Sequence, residues 1–124
     1  MKLIEIYRCL CDETRLRILH LLQSQALCVC HLQAALGLPQ VAISKHLAYL
    51  RRRGLVVSRR REQWAIYRLP DHRPRELELQ LQCLQDCLQT HPVFQRDRQR
   101  LAALAPDCRR LTGAPADAAA SSHE

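Results

Sequence analysis

Residues 40–69 read QVAISKHLAYLRRRGLVVSRRREQWAIYRL, and this stretch decides the fold of the chain. In its first half, apolar residues at helical spacing form the buried stripe of a predicted helix: Ile43, Leu47 and Leu50. Pro39 suits the entry to this helix, and Gly54 closes it. In the second half, LVVSRR and WAIYRL are rich in β-branched and aromatic residues, and they predict two strands joined through Arg61-Glu62-Gln63.

Further helices are predicted on both sides of this stretch. They are predicted from the spacing of apolar residues and from capping residues. The predicted ranges are 3–10, Asp12 or Thr14 to about 23, 31–36 with its end at Gly37, about 74 to 90, and around 94–104. Helix, short turn, helix and hairpin is the order of a winged helix-turn-helix. We therefore expect a mainly α-helical fold with a β-hairpin wing.

The excess positive charge of the chain lies in the same stretch. The 124 residues carry a formal net charge of +7, and residues 40–69 hold eight basic residues against Glu62 alone. The remaining residues balance, with 11 basic and 11 acidic groups. Such a concentration of charge is expected of a surface that binds phosphate groups.

The outward face of the predicted fourth helix carries residues suited to reading DNA. The amino-terminal part of a recognition helix enters the major groove, where Gln bonds adenine, Lys and Ser donate to bases or phosphates, and Val meets a thymine methyl group. Arginines at a hairpin tip are placed to contact flanking phosphates or the minor groove. The candidate DNA-binding residues are Gln40, Val41, Ser44, Lys45, Arg52, Arg60 and Arg61.

Seven cysteines are the second conspicuous feature, and six of them fall in close pairs, at 9 and 11, 28 and 30, and 83 and 87. No apolar run approaches the ~20 residues needed to cross a bilayer, so no membrane partner is expected and the protein is placed in the cytoplasm, with reduced thiols. Soft thiolates select thiophilic ions. Residues two apart on a regular helix point about 200° apart, whereas residues four apart share one face. Simple geometry therefore favours Cys83 and Cys87 as a chelating pair.

Four motifs, LCDETRLRILHLL, LCVCHL, ISKHLAYLRRRGLV and WAIYRL, resemble the ArsR/SmtB family of metal-responsive transcriptional repressors, and most closely its arsenic-sensing branch. The resemblance covers residues 5 to about 75. It implies a homodimeric repressor that leaves its operator DNA when trivalent arsenic or antimony, As(III) or Sb(III), binds to cysteine thiolates. The Cys-Val-Cys of that branch corresponds to Cys28 and Cys30, which become the expected metal ligands. Gln33 stands where a third cysteine often occurs.

Several alternatives stay open at this point. Cys83 and Cys87 are a rival site, and the inducer is either inorganic or methylated. A repressor of the same fold that senses oxidants or reactive sulfur through cysteine oxidation, or that binds zinc or cadmium, is the alternative function. No Gly-rich phosphate loop or nucleophile-base pair stands out, so neither an enzyme nor an organic cofactor is expected. A third thiolate has five candidate sources: Cys9, Cys11, Cys83, Cys87 and Cys108.

A two-fold interface is expected from apolar residues at the two ends of the domain: Leu77, Leu81, Leu84 and Leu88, with Leu3, Ile6 and Leu10. A homodimer presents two recognition helices about one DNA turn apart, so the operator should be an imperfect palindrome. Residues 1–105 are interpreted as one DNA-binding and dimerisation domain. Residues 106–124, which contain TGAPADAAASSHE, are interpreted as a disordered tail.

Overall fold

A computed structural model describes residues 2–106; residues 107–124, with Cys108 and almost all of the predicted tail, lie outside the described range. The described chain forms α1 (Leu3–Leu10), α2 (Glu13–Leu22), β1 (Leu27–Cys28), α3 (Val29–Leu36), α4 (Gln40–Arg52), β2 (Val57–Arg61), β3 (Trp64–Arg68), α5 (Arg75–Cys87) and α6 (Pro92–Ala102). The predicted winged helix-turn-helix is confirmed. None of the helices between residues 2 and 106 has the length and apolar character needed to cross a membrane.

Helices α3 and α4 form the helix-turn-helix. Gly37 ends α3 in the left-handed region, at a φ of 69°, which glycine adopts without a steric penalty. Pro39 follows in an extended conformation and caps α4. The predicted stripe of α4 is completely buried, at 0% exposure for each of its three residues: Ile43, Leu47 and Leu50. The opposite face of α4 is thereby left to solvent.

Strands β2 and β3 form the wing, and a two-residue turn at Glu62 and Gln63 joins them. Glu62 takes a φ of 57°, so a non-glycine residue occupies the left-handed position of the turn. On its other side β3 pairs with β1, which gives the strand order β1-β3-β2. In this pairing Cys28 lies opposite Ile66. The short strand β1, which the sequence did not indicate, therefore joins the thiol segment to the wing.

Two leucines of α5 that were predicted to line a dimer interface are buried within the protomer instead. Leu77 and Leu81 are only 1% and 3% exposed and belong to the chain's own core, as does Ile6 at 0%. These residues pack within the protomer because α5 lies against α1, so the prediction that they face a partner is wrong. The large apolar residues that remain exposed on these two helices are Leu3, Ile4, Tyr7 and Leu79.

A buried ion pair ties the last helix to the helix-turn-helix. The Arg17 guanidinium donates two hydrogen bonds to the Asp97 carboxylate, from Nε at 2.8 Å and from one terminal nitrogen at 2.9 Å. The same terminal nitrogen donates to the Leu36 carbonyl, 2.9 Å away at the end of α3. Asp97 is 0% exposed. Removing one member of such a pair costs about 3–5 kcal/mol, because the other charge stays buried without a partner. Helix α6 is therefore held firmly beside α3.

Candidate metal site and nucleic-acid interface

The thiols of Cys28 and Cys30 converge because they do not lie on one regular helix. Cys28 is the last residue of β1 and the N-cap of α3, with an extended backbone at φ −85° and ψ 167°. Cys30 lies in the first turn of α3. The change of backbone direction between them removes the 200° divergence that a continuous helix would impose. Helix α3 begins two residues before the predicted position 31, and this early start brings the change of direction to Cys28.

His31 completes the cluster. Its Nδ1 lies 2.9 Å from Cys28 Sγ, and its Nε2 lies 2.9 Å from the carbonyl oxygen of Ala105. A carbonyl oxygen only accepts hydrogen bonds, so Nε2 carries a proton and donates it to Ala105. In the neutral ring Nδ1 then carries no proton and accepts a hydrogen bond from the Cys28 thiol. His31 is 7% exposed, so its ring is held in place by packing as well as by hydrogen bonds.

The donor atoms of Cys28, Cys30 and His31 all lie within 4.8 Å of one another. Within residues 2–106 this is the only group of three or more such side chains with that spacing. Two sulfurs and one imidazole nitrogen suit thiophilic and borderline ions, and not Mg²⁺ or Ca²⁺, which prefer oxygen. The residues present therefore fit the class of ion expected from the sequence.

The candidate DNA-binding residues lie on the outward side of α4 and on the wing. Val41 is 80% exposed. Arg61 is half-buried beside the wing turn, where it pairs with Trp64. The remaining members of the set are exposed: Gln40, Ser44, Lys45, Arg52 and Arg60.

An open cleft of about 390 Å³ lies between α3, α4 and the wing. Cys30 of the thiol cluster lines this cleft together with Gln40, Ser44 and Arg60, which are candidate DNA contacts. Trp64 of β3 forms part of the same wall. The thiol cluster and the candidate DNA-binding face are therefore adjacent surfaces of one structure.

The other described cysteines occupy different environments. Cys9 is buried in the core at 0% exposure, and burial raises the pKa of its thiol, which disfavours the thiolate that binds metals. Cys11, just after α1, is exposed. Cys83 and Cys87 share one face of α5 as predicted, with their sulfurs 3.9 Å apart. The hydrogen bond with Cys83 raises the pKa of the Cys87 thiol.

The contact between His31 and Ala105 is a feature of the candidate site that the sequence did not reveal. The two residues are 74 positions apart, and no pattern in the sequence indicates that the end of the domain returns to α3. His31 itself was visible as a neighbour of the thiol pair. Only its fixed tautomer makes it a credible ligand.

A winged helix-turn-helix with a basic outward face and a thiol cluster at the start of its first helix defines a regulatory DNA-binding protein. The profile of the family described as "Bacterial regulatory protein, arsR family" matches residues 12–58. HlyU from Vibrio cholerae N16961 has a similar structure, with a TM-score of 0.62 at 34% identity, over 68% of this chain and 88% of that one. The chain belongs to the arsR family.

Two proteins of similar sequence are arsenic regulators by name. The "Arsenic resistance transcriptional regulator ArsR1" of Pseudomonas putida is 41% identical over 85 residues, which are 68% of this chain and 66% of the relative. The "Arsenical resistance operon repressor" of Escherichia coli is 47% identical over 72 residues, which are 57% of this chain and 62% of the relative. The chain thus spans slightly less than two thirds of each of these relatives.

Proposed function

We propose that this protein is a transcriptional repressor that leaves its operator DNA when As(III) or Sb(III) binds to Cys28 and Cys30. The observation that carries this proposal is the convergence of the two thiols with His31 at the start of α3, within 4.8 Å of one another. The names of the two arsenic regulators above support the choice of ion. The operator would be contacted by α4 and the wing, and a homodimer would bind both halves of an imperfect palindrome.

The position of Cys28 suggests how ion binding would reach the DNA-binding surface. Cys28 belongs to β1 and pairs with Ile66 of the wing strand β3, whereas Cys30 belongs to α3. An ion held by both sulfurs would join the wing sheet to the helix-turn-helix. The Cys28 thiol would also lose its hydrogen bond to His31. Any adjustment that follows would shift the wing relative to α4, and DNA binding requires both.

The direct test is release of DNA by the ion. A duplex selected by the protein from a random-sequence pool would be titrated with arsenite, antimonite and a methylated trivalent arsenical under a constant excess of reductant. The variant with Cys28→Ser and Cys30→Ser should bind this DNA but keep it when arsenite is added. The variant with Cys83→Ser and Cys87→Ser is the matched control and should respond like the wild type. The reverse result would contradict the proposal and favour the α5 pair.

Zinc or cadmium is a second candidate inducer, and the geometry of His31 favours it. A histidine that ligates a metal commonly donates its other ring N–H to a backbone carbonyl, as His31 does to Ala105. Substituting His31→Ala should then abolish release by zinc and leave release by arsenite, which depends on sulfur. Retained release by zinc would exclude His31 as its ligand. Release by peroxide alone, reversed by reductant, would instead favour the oxidation hypothesis.

A further inference from the structure

Cys83 and Cys87 form a second group of thiols, which the proposed function does not use. Both belong to α5, and their sulfurs lie 3.9 Å apart. Both side chains are exposed, so a molecule in solution can reach the two sulfurs together. Residues four apart share one face of a helix, and the helix therefore holds the pair in place before any ligand binds.

The separation of the two sulfurs suits one bridging atom better than a direct disulfide bond. An atom that bonds each sulfur at about 2.3 Å, the length of a zinc–sulfur bond, can join sulfurs up to about 4.6 Å apart. The observed 3.9 Å lies inside that limit. A disulfide needs Cβ atoms about 3.5–4.5 Å apart, whereas residues four apart on a helix have Cβ atoms about 5–6 Å apart. A disulfide would therefore require α5 to distort.

The protons of the two thiols narrow the choice of ligand. The hydrogen bond with Cys83, and next the negative charge that Cys83 would carry as a thiolate, raise the pKa of Cys87. A divalent metal ion needs both sulfurs as thiolates, and these repel each other. A trivalent arsenical reacts with the neutral thiols, because each As–OH group leaves as water together with one thiol proton. The neutral pair therefore favours an arsenical.

The number of thiols and the neighbouring surface select among arsenicals. Inorganic arsenous acid, As(OH)₃, would keep one hydroxyl group, whereas an arsenical with one organic group, RAs(OH)₂, exchanges both of its hydroxyl groups. Leu79 lies one helical turn before Cys83 on the same face of α5 and is 46% exposed. An organic group placed against this leucine would be removed in part from water, which favours binding.

The α5 pair is separate from the cluster at the start of α3. That cluster consists of Cys28, Cys30 and His31. The cleft that contains Cys30 is lined by residues of α3, α4 and the wing. A ligand held on α5 would therefore lie outside the cleft in which the thiol cluster meets the candidate DNA-binding face.

We propose that Cys83 and Cys87 form a second site, which binds trivalent arsenicals carrying one organic group and does not control the release of DNA. Two thiols and RAs(OH)₂ condense to RAs(SR)₂ and two waters, without any change of oxidation state. The bound arsenic then links two successive turns of α5. The inference is independent of the proposed function, because it depends only on the geometry of α5.

The test counts the phenylarsenic groups that the full-length protein binds. Intact-mass spectrometry is carried out with an excess of phenylarsine oxide and a phosphine reductant, which does not compete as a thiol. The variant with Cys83→Ser and Cys87→Ser should bind one group fewer than the wild type. The matched control carries Cys87→Ser with Gln85→Cys, which keeps the number of thiols but turns them about 200° apart on the helix. This control should also bind one group fewer.

The contact with Leu79 has a test of its own. In the variant with Cys28→Ser and Cys30→Ser, the substitution Leu79→Gln should weaken the binding of phenylarsine oxide about fivefold, because part of the phenyl group loses its apolar contact. A methylated trivalent arsenical, which has a smaller organic group, should be affected less. Equal effects on both arsenicals would show that the organic group does not lie against Leu79.

The outcomes separate this inference from the proposed function. Equal numbers of bound groups in the wild type and in the Cys83→Ser, Cys87→Ser variant would overturn the second site. An unchanged number in the Gln85→Cys control would overturn the geometric argument for it. Loss of DNA release by phenylarsine oxide in the Cys83→Ser, Cys87→Ser variant would overturn the separation of the two sites. Failure of the proposed function is recorded elsewhere, as release of DNA by arsenite from the Cys28→Ser, Cys30→Ser variant.

Discussion

Arg60 links the shape of the wing to its proposed contact with DNA. Its guanidinium donates a hydrogen bond to the Gln63 carbonyl across the wing turn, at 3.0 Å, and it lines the cleft that also contains Cys30. The side chain is exposed, so its charge is available to a phosphate group. Its contribution to DNA binding should therefore be electrostatic and independent of base sequence.

The variant Arg60→Ala should bind every DNA sequence more weakly and with a shallower salt dependence. Each phosphate contact that is lost reduces the slope of log K against log salt by about 0.9, because fewer counterions are released. Arg96→Ala is the matched control, since Arg96 is an exposed arginine of α6 and is not among the candidate DNA-binding residues. Fluorescence anisotropy at several salt concentrations gives the slopes. Equal slopes for wild type and Arg60→Ala would show that Arg60 does not contact phosphate.

His20 makes the stability of the fold depend on pH. It is 8% exposed, and Arg98 donates a hydrogen bond to its Nε2 at 2.7 Å, which requires an unprotonated nitrogen there. Burial, and next the charge of Arg98, lower the pKa of His20, and Asp97 opposes them in part. The unfolded chain therefore binds a proton more readily than the folded one. The stabilisation is complete above the unfolded pKa, about 6.5, and is lost as pH falls below it.

We expect urea unfolding to show this directly, with a lower free energy of unfolding at pH 5.5 than at pH 7.5. In His20→Gln the amide oxygen still accepts from Arg98 but does not titrate, so the decrease should be smaller than in the wild type. His72→Gln is the control, because His72 is exposed. An identical pH dependence in wild type and His20→Gln would contradict the assignment.

At the scale of the elements, the first residue of α3 was not predicted correctly from the sequence. Helix α4 was predicted together with its two ends, because Pro39, Gly54 and the stripe of apolar residues all indicate the same helix. The start of α3 was predicted two residues late, because β1 is only two residues long and is stabilised by pairing with β3. That pairing is a tertiary contact, which the local pattern of LCVC does not encode. The geometry that brings the two thiols together was therefore hidden, although the thiols themselves were identified.

In the wing turn, a residue other than glycine holds a backbone conformation that favours glycine, and the cost of this can be tested. Glu62 adopts the left-handed conformation at a φ of 57°, which costs a residue with a Cβ roughly 1–2 kcal/mol and glycine almost nothing. Glu62→Gly should therefore be more stable than Glu62→Ala by about 1 kcal/mol. Both variants lack the carboxylate, so the comparison isolates the backbone term, and thermal unfolding measures it. If Glu62→Ala were as stable as Glu62→Gly, the turn would not have this conformation.

For the whole molecule, the fold class followed from sequence because its signals are local and repeated. The packing of α5 did not follow from the sequence, because a stripe of apolar residues does not indicate whether it packs inside the protomer or against a partner. Leu77 and Leu81 are buried within the chain, and the exposed apolar residues Ile4 and Tyr7 lie instead on α1, at 65% and 50% exposure. A homodimer remains our expectation, and we propose that it covers this exposed surface of α1.

The expected dimer can be tested by charge insertion on α1. Ile4→Glu should shift the 14.3 kDa chain from dimer to monomer at micromolar concentration, because a buried carboxylate without a partner is strongly unfavourable. Val41→Glu is the matched control: Val41 is still more exposed, at 80%, but belongs to the candidate DNA-binding face. It should remain dimeric and lose DNA binding. Sedimentation velocity distinguishes the two states, and a monomeric wild type would contradict the expectation.

The position of Trp64 gives the protein an intrinsic optical probe. It is the single tryptophan of the chain, and it lines the same cleft as Cys30 and Arg60. Indole emission responds to nearby heavy atoms and to the polarity of its surroundings. Fluorescence from this one side chain should therefore report on both the candidate thiol site and the candidate DNA-binding surface. Occupation of either can be followed in real time in the unlabelled, unmodified protein.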